Sequence, residues 1–202
     1  MKTTSPAAHD PAGPPLIWVE SMGGPLIVIP VSMVDGWHGC TGEGQVIGDG
    51  DVRDDYDRAC EVDGLAGVVT VGGDAPRGLV LADMPATTCY LAEQRVFVRW
   101  LGADSDADLV AAARTLLADP ATEWEACGVW ETDGPAVLMD SVTAGADLDV
   151  EYPGSGALPD QAPVPIPPGR WSVRAVHASA DEHTSVGLVQ LLPAAPSPPA
   201  AE

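Results

Sequence analysis

The residues most able to do chemistry are His38 and Cys40, which follow an apolar run on a glycine-rich loop. A histidine and a cysteine at this spacing could supply half of a zinc site, with Cys60 or Cys89 as further ligands. The four cysteines contain no C-x-x-C pair, so several separated residues would have to converge to complete such a site. We therefore predict no metal, and we interpret the cysteines as small buried side chains.

An Asp-x-Asp-x-Asp pattern over residues 104–108 is similar to the start of a calcium loop. Leu109 occupies the position where an EF-hand requires glycine, which argues against calcium binding. Ser105 with Asp108 three residues later is instead the pattern of a helix capping box. We interpret these acids as the start of a helix.

The familiar catalytic motifs are absent from the sequence. Lys2 is the single lysine, which excludes a Walker loop. Glu182-His183 lacks the second histidine of H-E-x-x-H, and Gly154-Ser155-Gly156 lies in a proline-rich loop, not at a strand-to-helix turn. The glycines of residues 39–44 are in the wrong order for a dinucleotide-binding fingerprint. We predict no catalytic residues, no enzymatic activity and no cofactor.

The net charge excludes several classes of partner. Thirty acids against nine bases give a formal charge of −21. Nucleic-acid affinity depends on Lys and Arg that neutralise phosphates, so nucleic acid and anionic membranes are excluded as partners. A basic protein is the natural electrostatic complement. The alternative is that the acidity serves only solubility.

The strongest concentration of acids lies between Gly39 and Asp63, offset there by two arginines. Trp37 directly precedes this segment, and an aromatic side chain surrounded by charge is typical of an interface hot spot, although a core position is equally open. The candidate partner-binding residues are Trp37, Asp49, Asp51, Asp54, Asp55, Tyr56 and Asp57.

The elements that position these residues are predicted to be mainly β (α+β), as antiparallel sheets with one helix at about 104–118. Leu16–Val19 and Leu26–Val31 flank Ser21–Pro25 and predict a hairpin, whose second strand is apolar on both faces and therefore central. A short helix or strand is predicted from Tyr56 to Val62, and Pro153–Pro168 is predicted to be an extended loop. Further strands are predicted at Leu65–Val71, Gly78–Ala82, Thr87–Leu91, Arg95–Leu101, Trp124–Glu131, Ala136–Val142, Leu148–Tyr152, Arg170–Ala178 and Ser185–Leu192.

The chain contains two stretches that suggest an internal repeat. Residues 18–27 and 130–137 both combine a strand, an acidic turn, Gly-Pro and a second strand, and residues 77–81 are echoed by 186–190. We predict an N-terminal β unit (16–102), a bridging helix (103–121) and a C-terminal β unit (122–193), with disordered tails at 1–15 and 194–202. Chance similarity between hairpins remains the alternative.

The residues IWVESMGGPLIVIPVS (17–32), DYDRACEVDG (55–64) and RVFVRWL (95–101) together resemble the bacterial polymorphic-toxin immunity proteins of the immunity protein 21 family. The resemblance is clearest from Ile17 to about Leu117 and extends to Leu192. It implies a largely β fold and neutralisation of a cognate protein toxin, which the charge suggests to be basic. It carries over no catalytic or contact residues.

The resemblance also implies a cytoplasmic location, and the N-terminal sequence agrees because it lacks the apolar core of a signal peptide. No apolar run reaches the length of a membrane span. The alternative function is a small-molecule-binding or enzymatic β domain with acidic pocket residues. The oligomeric state is left open.

Overall fold

The computed structural model describes residues 15–41, 53–73 and 76–195, so most of both predicted tails lies outside the described residues. Within these ranges the helices are α1 (Asp55–Cys60) and α2 (Asp106–Ala118), with 3-10 helices at Val31–Gly36 and Gly145–Asp147. The strands in chain order are β1 (Trp18–Val19), β2 (Leu26–Pro30), β3 (Gly67–Thr70), β4 (Pro76–Leu81), β5 (Thr88–Leu91), β6 (Val96–Gly102), β7 (Glu125–Thr132), β8 (Ala136–Asp140), β9 (Gln161–Val164), β10 (Gly169–Ser179) and β11 (Ser185–Pro193).

The strands form two antiparallel sheets, which confirms the predicted mainly-β class. The first sheet has the order β1-β5-β6-β11-β10-β7, and the second has the order β3-β4-β2-β8-β9. Apolar residues from both sheets form one buried cluster between them, including Phe97 and Trp130 of the first sheet and Leu79 and Leu138 of the second. The architecture is therefore a sandwich of two sheets with further layers outside it.

The alternation along β6 explains the layer outside the first sheet. Phe97 packs between the sheets, whereas Val96 and Val98 pack against α2 on the opposite face. Leu109 and Ala113 of α2 are fully buried in that contact. Ser105 accepts a hydrogen bond from the backbone N–H of Asp108 at 3.2 Å, so the predicted helix and its N-cap are confirmed.

The predicted hairpin between the first two strands is wrong. β1 pairs with β5 in the first sheet, whereas β2 pairs with β4 and β8 in the second. The chain therefore passes from the first sheet to the second at the turn that contains Gly24 and Pro25. The predicted central position of β2 is confirmed, since all five of its residues are buried, and Ile27 and Ile29 face a third apolar cluster on the outer side.

Two predictions in the C-terminal half are also wrong. Leu148–Tyr152 is not a strand, because Leu148 follows a 3-10 helix and packs into the outer cluster. The segment predicted as an extended loop instead contains β9, which pairs with β8 at the edge of the second sheet. An edge strand tolerates Pro163, since one side of it needs no hydrogen-bond partner.

The strand order of the first sheet keeps its pattern when the N-terminal half is exchanged with the C-terminal half, and that of the second sheet does so apart from β3, which has no counterpart there. In the first sheet β1, β5 and β6 correspond to β7, β10 and β11; in the second, β2 and β4 correspond to β8 and β9. Both Gly-Pro turns lead from an edge strand of the first sheet to an interior strand of the second. The echo of residues 77–81 in 186–190 joins β4 to β11, which do not correspond. The two units share both sheets, and their origin as a repeat stays a prediction.

Candidate functional site

Helix α1 begins in a capping box that ties it to the preceding loop. Asp54 accepts hydrogen bonds from the backbone N–H groups of Asp57 and Thr41, both at 2.8 Å. The Asp57 carboxylate in turn accepts from the Asp54 N–H at 3.2 Å. Asp54 is only 7% exposed. Its carboxylate therefore joins the start of α1 to the preceding loop and is not free to contact a partner.

Asp55 has a similar structural role. One of its oxygens accepts from the backbone N–H of His38 at 2.6 Å and lies 3.3 Å from His38 Nδ1. Its other oxygen pairs with Arg58 one turn later. Asp55 is 6% exposed, and the negative charge of a carboxylate in the first turn also suits the helix dipole.

Trp37 occupies the core position, one of the two that the sequence left open for it, and does not lie on the surface as an anchor. The side chain has no exposed surface, and its Nε1–H donates to the carbonyl of Ser141 at 2.9 Å. The Trp37 carbonyl accepts from the N–H of Gly145 at 2.8 Å. The indole fills the outer cluster because it satisfies its single donor there while burying a large apolar surface.

The remaining predicted contact residues divide into two groups. Tyr56 and Asp57 are partly exposed on α1, whereas Asp49 and Asp51 lie outside the described residues. The structure thus brings residues 54–57 together on one short helix, but two of the three acids there hold the loop in place. A contact role for this group stays a prediction.

Tyr56 lines a cleft of about 360 Å³, which the sequence did not predict. The cleft lies between the turn at residues 23–25, helix α1 with the chain that follows it, and the loop at residues 82–85. Asp63 and Asp83 line it together with Met84, which is 45% exposed. Asp63 and Asp83 are far apart in the sequence, so only the fold shows that they share a cleft.

The Tyr56 ring lies directly against the Gly-Gly turn. A Cβ at Gly24 would lie 2.6 Å from Tyr56 Oη, so only glycine permits this approach. Burial and then the contact with Cys60 raise the pKa of Tyr56 to about 12. Burial also raises the pKa of the Cys60 thiol. Both groups are therefore protonated near neutral pH, which suits hydrogen bonding and not nucleophilic attack.

A buried arginine supports the wall of the cleft. Arg99 is 1% exposed and donates from Nη1 to the carbonyl of Ala82 at 2.5 Å and from Nη2 to the carbonyl of Met84. Burial lowers the pKa of Arg99 to about 10, which leaves it charged at neutral pH. His177 lies beside it, with Nε2 3.4 Å from Arg99 Nη1 and Nδ1 3.3 Å from an Asp83 oxygen. These contacts fix the loop at residues 82–85.

The sequence of β6 contains a signal for this arginine. Alternate residues of a strand share a face, so Arg99 lies on the same face as Phe97, which is buried between the sheets. An arginine on an interior face needs several acceptors, so it marks a place where backbone carbonyls converge.

No metal site forms in the part of the chain that the structure describes, where no three His, Cys, Asp or Glu side chains are arranged as ligands. His38 is exposed on the loop. Cys89 is buried in the cluster under α2, but Cys40 and Cys60 are exposed, so the interpretation of the cysteines as buried side chains is wrong for these two. In the same ranges, no helix combines the length and the apolar character that crossing a membrane requires.

Comparison with known proteins gives one positive result. The family model described as immunity protein 21 matches residues 17–184, which contain the cleft and the strands β1 to β10 but not β11. No curated protein and no solved structure matches the chain.

Proposed function

We propose that this chain, which belongs to the immunity protein 21 family, binds a toxin in the cytoplasm and neutralises it without performing a reaction of its own. The family match carries this proposal. The chemistry of the cleft supports it, because its Tyr56 hydroxyl and Cys60 thiol are both held in the protonated form. Such groups recognise a partner by hydrogen bonds but do not attack it.

The charge supports a basic surface on the toxin as the partner of an acidic face on this chain. With a formal charge of −21, the protein repels other anions and attracts a basic partner at long range. Steering of this kind raises association rates to on the order of 10⁸ per molar per second at low salt. An interface of about 1,600 Å² in total would be of standard size for a specific complex.

The acidic face that we favour contains the cleft. Asp63 and Asp83 are exposed there, and Asp57 is partly exposed on the adjacent helix. Asp54 and Asp55 are better regarded as the supports of this surface. A small-molecule-binding role would use the same cleft, whereas an enzymatic role would require a reactive group there in place of the protonated Tyr56 and Cys60.

The test uses the product of the gene adjacent to the one that encodes this chain as the candidate toxin. We expect co-expression of this chain to restore growth of cells that produce the toxin, and the two purified proteins to co-elute in size-exclusion chromatography. We also expect the association rate to fall as salt is raised from 50 to 500 mM, because screening weakens long-range attraction between opposite charges.

Failure of both growth rescue and co-elution with the wild-type protein would overturn the proposed function. Rescue with an association rate that does not depend on salt would retain the toxin partner and overturn the electrostatic mode of binding.

A further inference from the structure

We propose that the cleft beside α1 receives one long cationic side chain of the toxin, an arginine or a lysine, as the anchor of the complex. This inference rests on the proposed function and adds the chemical identity of the group that is bound. It follows from the lining of the cleft, from the exposure and contacts of its acids and from the contacts that hold its walls.

The lining suits a side chain that is apolar along its stem and charged at its tip. Ala59, Val62 and Pro85 contribute apolar surface, whereas Asp63 and Asp83 contribute carboxylates. Among the described residues that line the cleft, none is basic. Lysine and arginine bury their methylene stems on apolar surface and keep the charged head near polar groups. The protonated Tyr56 hydroxyl offers a further acceptor.

The Asp83 carboxylate is exposed to a partner. One of its oxygens lies 3.3 Å from Nδ1 of His177, and that ring is kept neutral because burial and the adjacent Arg99 both lower the pKa of His177. Arg99 itself directs both Nη groups at backbone carbonyls. Asp83 raises the pKa of Arg99, so the arginine balances part of the Asp83 charge through space. The carboxylate itself is exposed beside a neutral ring and can pair directly with an incoming cation.

The walls are fixed before any partner arrives. Arg99 holds the loop at residues 82–85, Gly24 lies against the Tyr56 ring, and the Asp54 capping box holds the start of α1. A rigid cleft loses little conformational entropy on binding, so a single side chain can contribute a large share of the affinity. Arginine is enriched among such hot-spot residues.

A second acidic groove, between α2 and the turn at residues 180–184, is a weaker candidate. It is lined by Asp104, Asp108, Asp181 and Glu182. Asp181 accepts from the N–H groups of His183 and Thr184, and Asp108 accepts from the Ser105 hydroxyl, so two of its four acids serve local turns. It provides an internal comparison for the experiment.

The first experiment uses the isolated protein, so it does not depend on the toxin. Nα-acetyl-arginine methylamide, its lysine equivalent and the neutral isostere Nα-acetyl-citrulline methylamide are titrated into ¹⁵N-labelled protein. We expect the two cationic probes to shift the amide signals of Gly23, Gly64 and Met84, and citrulline to leave them unchanged. Equal shifts with citrulline, shifts confined to the groove at α2, or no shifts would each overturn the proposal.

The second experiment measures the affinity of the toxin for matched variants. Asp63→Asn with Asp83→Asn removes two charges from the cleft, whereas Glu93→Gln with Glu123→Gln removes two charges from exposed positions outside it. We expect a loss of roughly tenfold or more for the cleft pair, as for other hot-spot contacts, and less than twofold for the control pair. Equal losses for the two pairs would overturn the cleft while leaving the proposed function intact.

Thermal unfolding of both pairs separates an effect on binding from an effect on folding. If the wild-type protein does not bind the toxin at all, the proposed function fails, and the probe titration still decides whether the cleft selects cations.

Discussion

Arg99 and His177 form a contact whose hydrogen positions follow from chemistry alone. Arginine can only donate, so the His177 Nε2 atom that faces it must be the acceptor. The ring proton then lies on Nδ1, which is 3.3 Å from an Asp83 oxygen. Protonation of the ring would place two cations in contact inside the protein, which is why the structure favours the neutral form.

This contact predicts a pH dependence of stability. Burial, and then Arg99, lower the pKa of His177, while Asp83 and Glu125 oppose the shift. The unfolded chain therefore takes up a proton near pH 6.5, before the folded protein does. The stabilising contribution is complete above that pH and is lost as the pH falls below it towards the folded pKa. We expect urea unfolding to show a free energy of unfolding that decreases over this range.

Substitution isolates the contribution of this one ring. His177→Asn retains a donor near Asp83 but removes the titrating group, so the decrease below pH 6.5 should become smaller. His183→Asn, at an exposed position on the adjacent turn, is the control and should keep the wild-type profile. Identical profiles for the two variants would contradict the assignment.

At the residue scale, the sequence could not separate structural acids from acids that are free to contact a partner. Charge and spacing selected Asp54, Asp55 and Asp57, but a carboxylate that caps a helix and one that contacts a partner have the same residue type. Asp-x-x-Asp is also a less common capping box than Ser or Thr with Glu. Asp63 and Asp83 could not be paired from the sequence, because the order of the strands brings them together.

At the scale of elements, α1 depends on its cap more than a longer helix would. A helix of six residues has few internal hydrogen bonds, so isolated propensity contributes little to its stability. The two hydrogen bonds that Asp54 accepts join the helix to Thr41 on the preceding loop. Loss of the cap should therefore loosen the side of the cleft that carries Tyr56.

We predict that Asp54→Ala lowers the free energy of unfolding by about 1–2 kcal/mol, since it removes an N-cap and leaves two backbone donors without their acceptor. Asp54→Ser should recover part of this loss because a hydroxyl can still cap the helix. Asp63→Ala, an exposed acid three residues beyond α1, should change stability by less than about 0.5 kcal/mol. Urea unfolding measures all three, and equal effects for the two alanine variants would refute the role of the cap.

The elements show where local sequence patterns fail. The pattern Ser21–Pro25 correctly indicated a turn but could not show whether the strands on either side pair with each other. β2 is apolar on both faces and needs cover on each, which it obtains by lying between β4 and β8. β9 was not predicted, because a proline-rich segment is typical of a loop. Proline is tolerated in β9 because this edge strand pairs with β8 on one side only.

At the scale of the whole molecule, the two halves are interleaved. β6 pairs with β11 in the middle of the first sheet, and β2 pairs with β8 in the second. Separating the halves would expose both of these inner edges together with the apolar cluster between the sheets. The mainly-β class followed from the alternating strands, whereas this division of strands between two sheets depends on contacts distant in sequence.

We predict that fragments 15–121 and 122–195 are unfolded when each is alone and recover the native fold when they are mixed. Each fragment lacks the partners of its innermost strands, and unpaired edges favour association with the complementary half. Circular dichroism and ¹⁵N–¹H spectra of each fragment and of the mixture provide the measurement. Cooperative unfolding of either fragment alone would show that its β unit is an independent domain.

The distribution of the tryptophans offers a practical consequence. Trp130 and Trp171 lie opposite each other between the sheets, Trp18 and Trp100 are in edge contact under α2, and Trp37 is in the outer cluster that also contains Ala59 of α1. Each layer thus carries its own intrinsic fluorophore. Emission from Trp37, isolated by replacing the others with phenylalanine, would follow events at the cleft optically, without an attached dye.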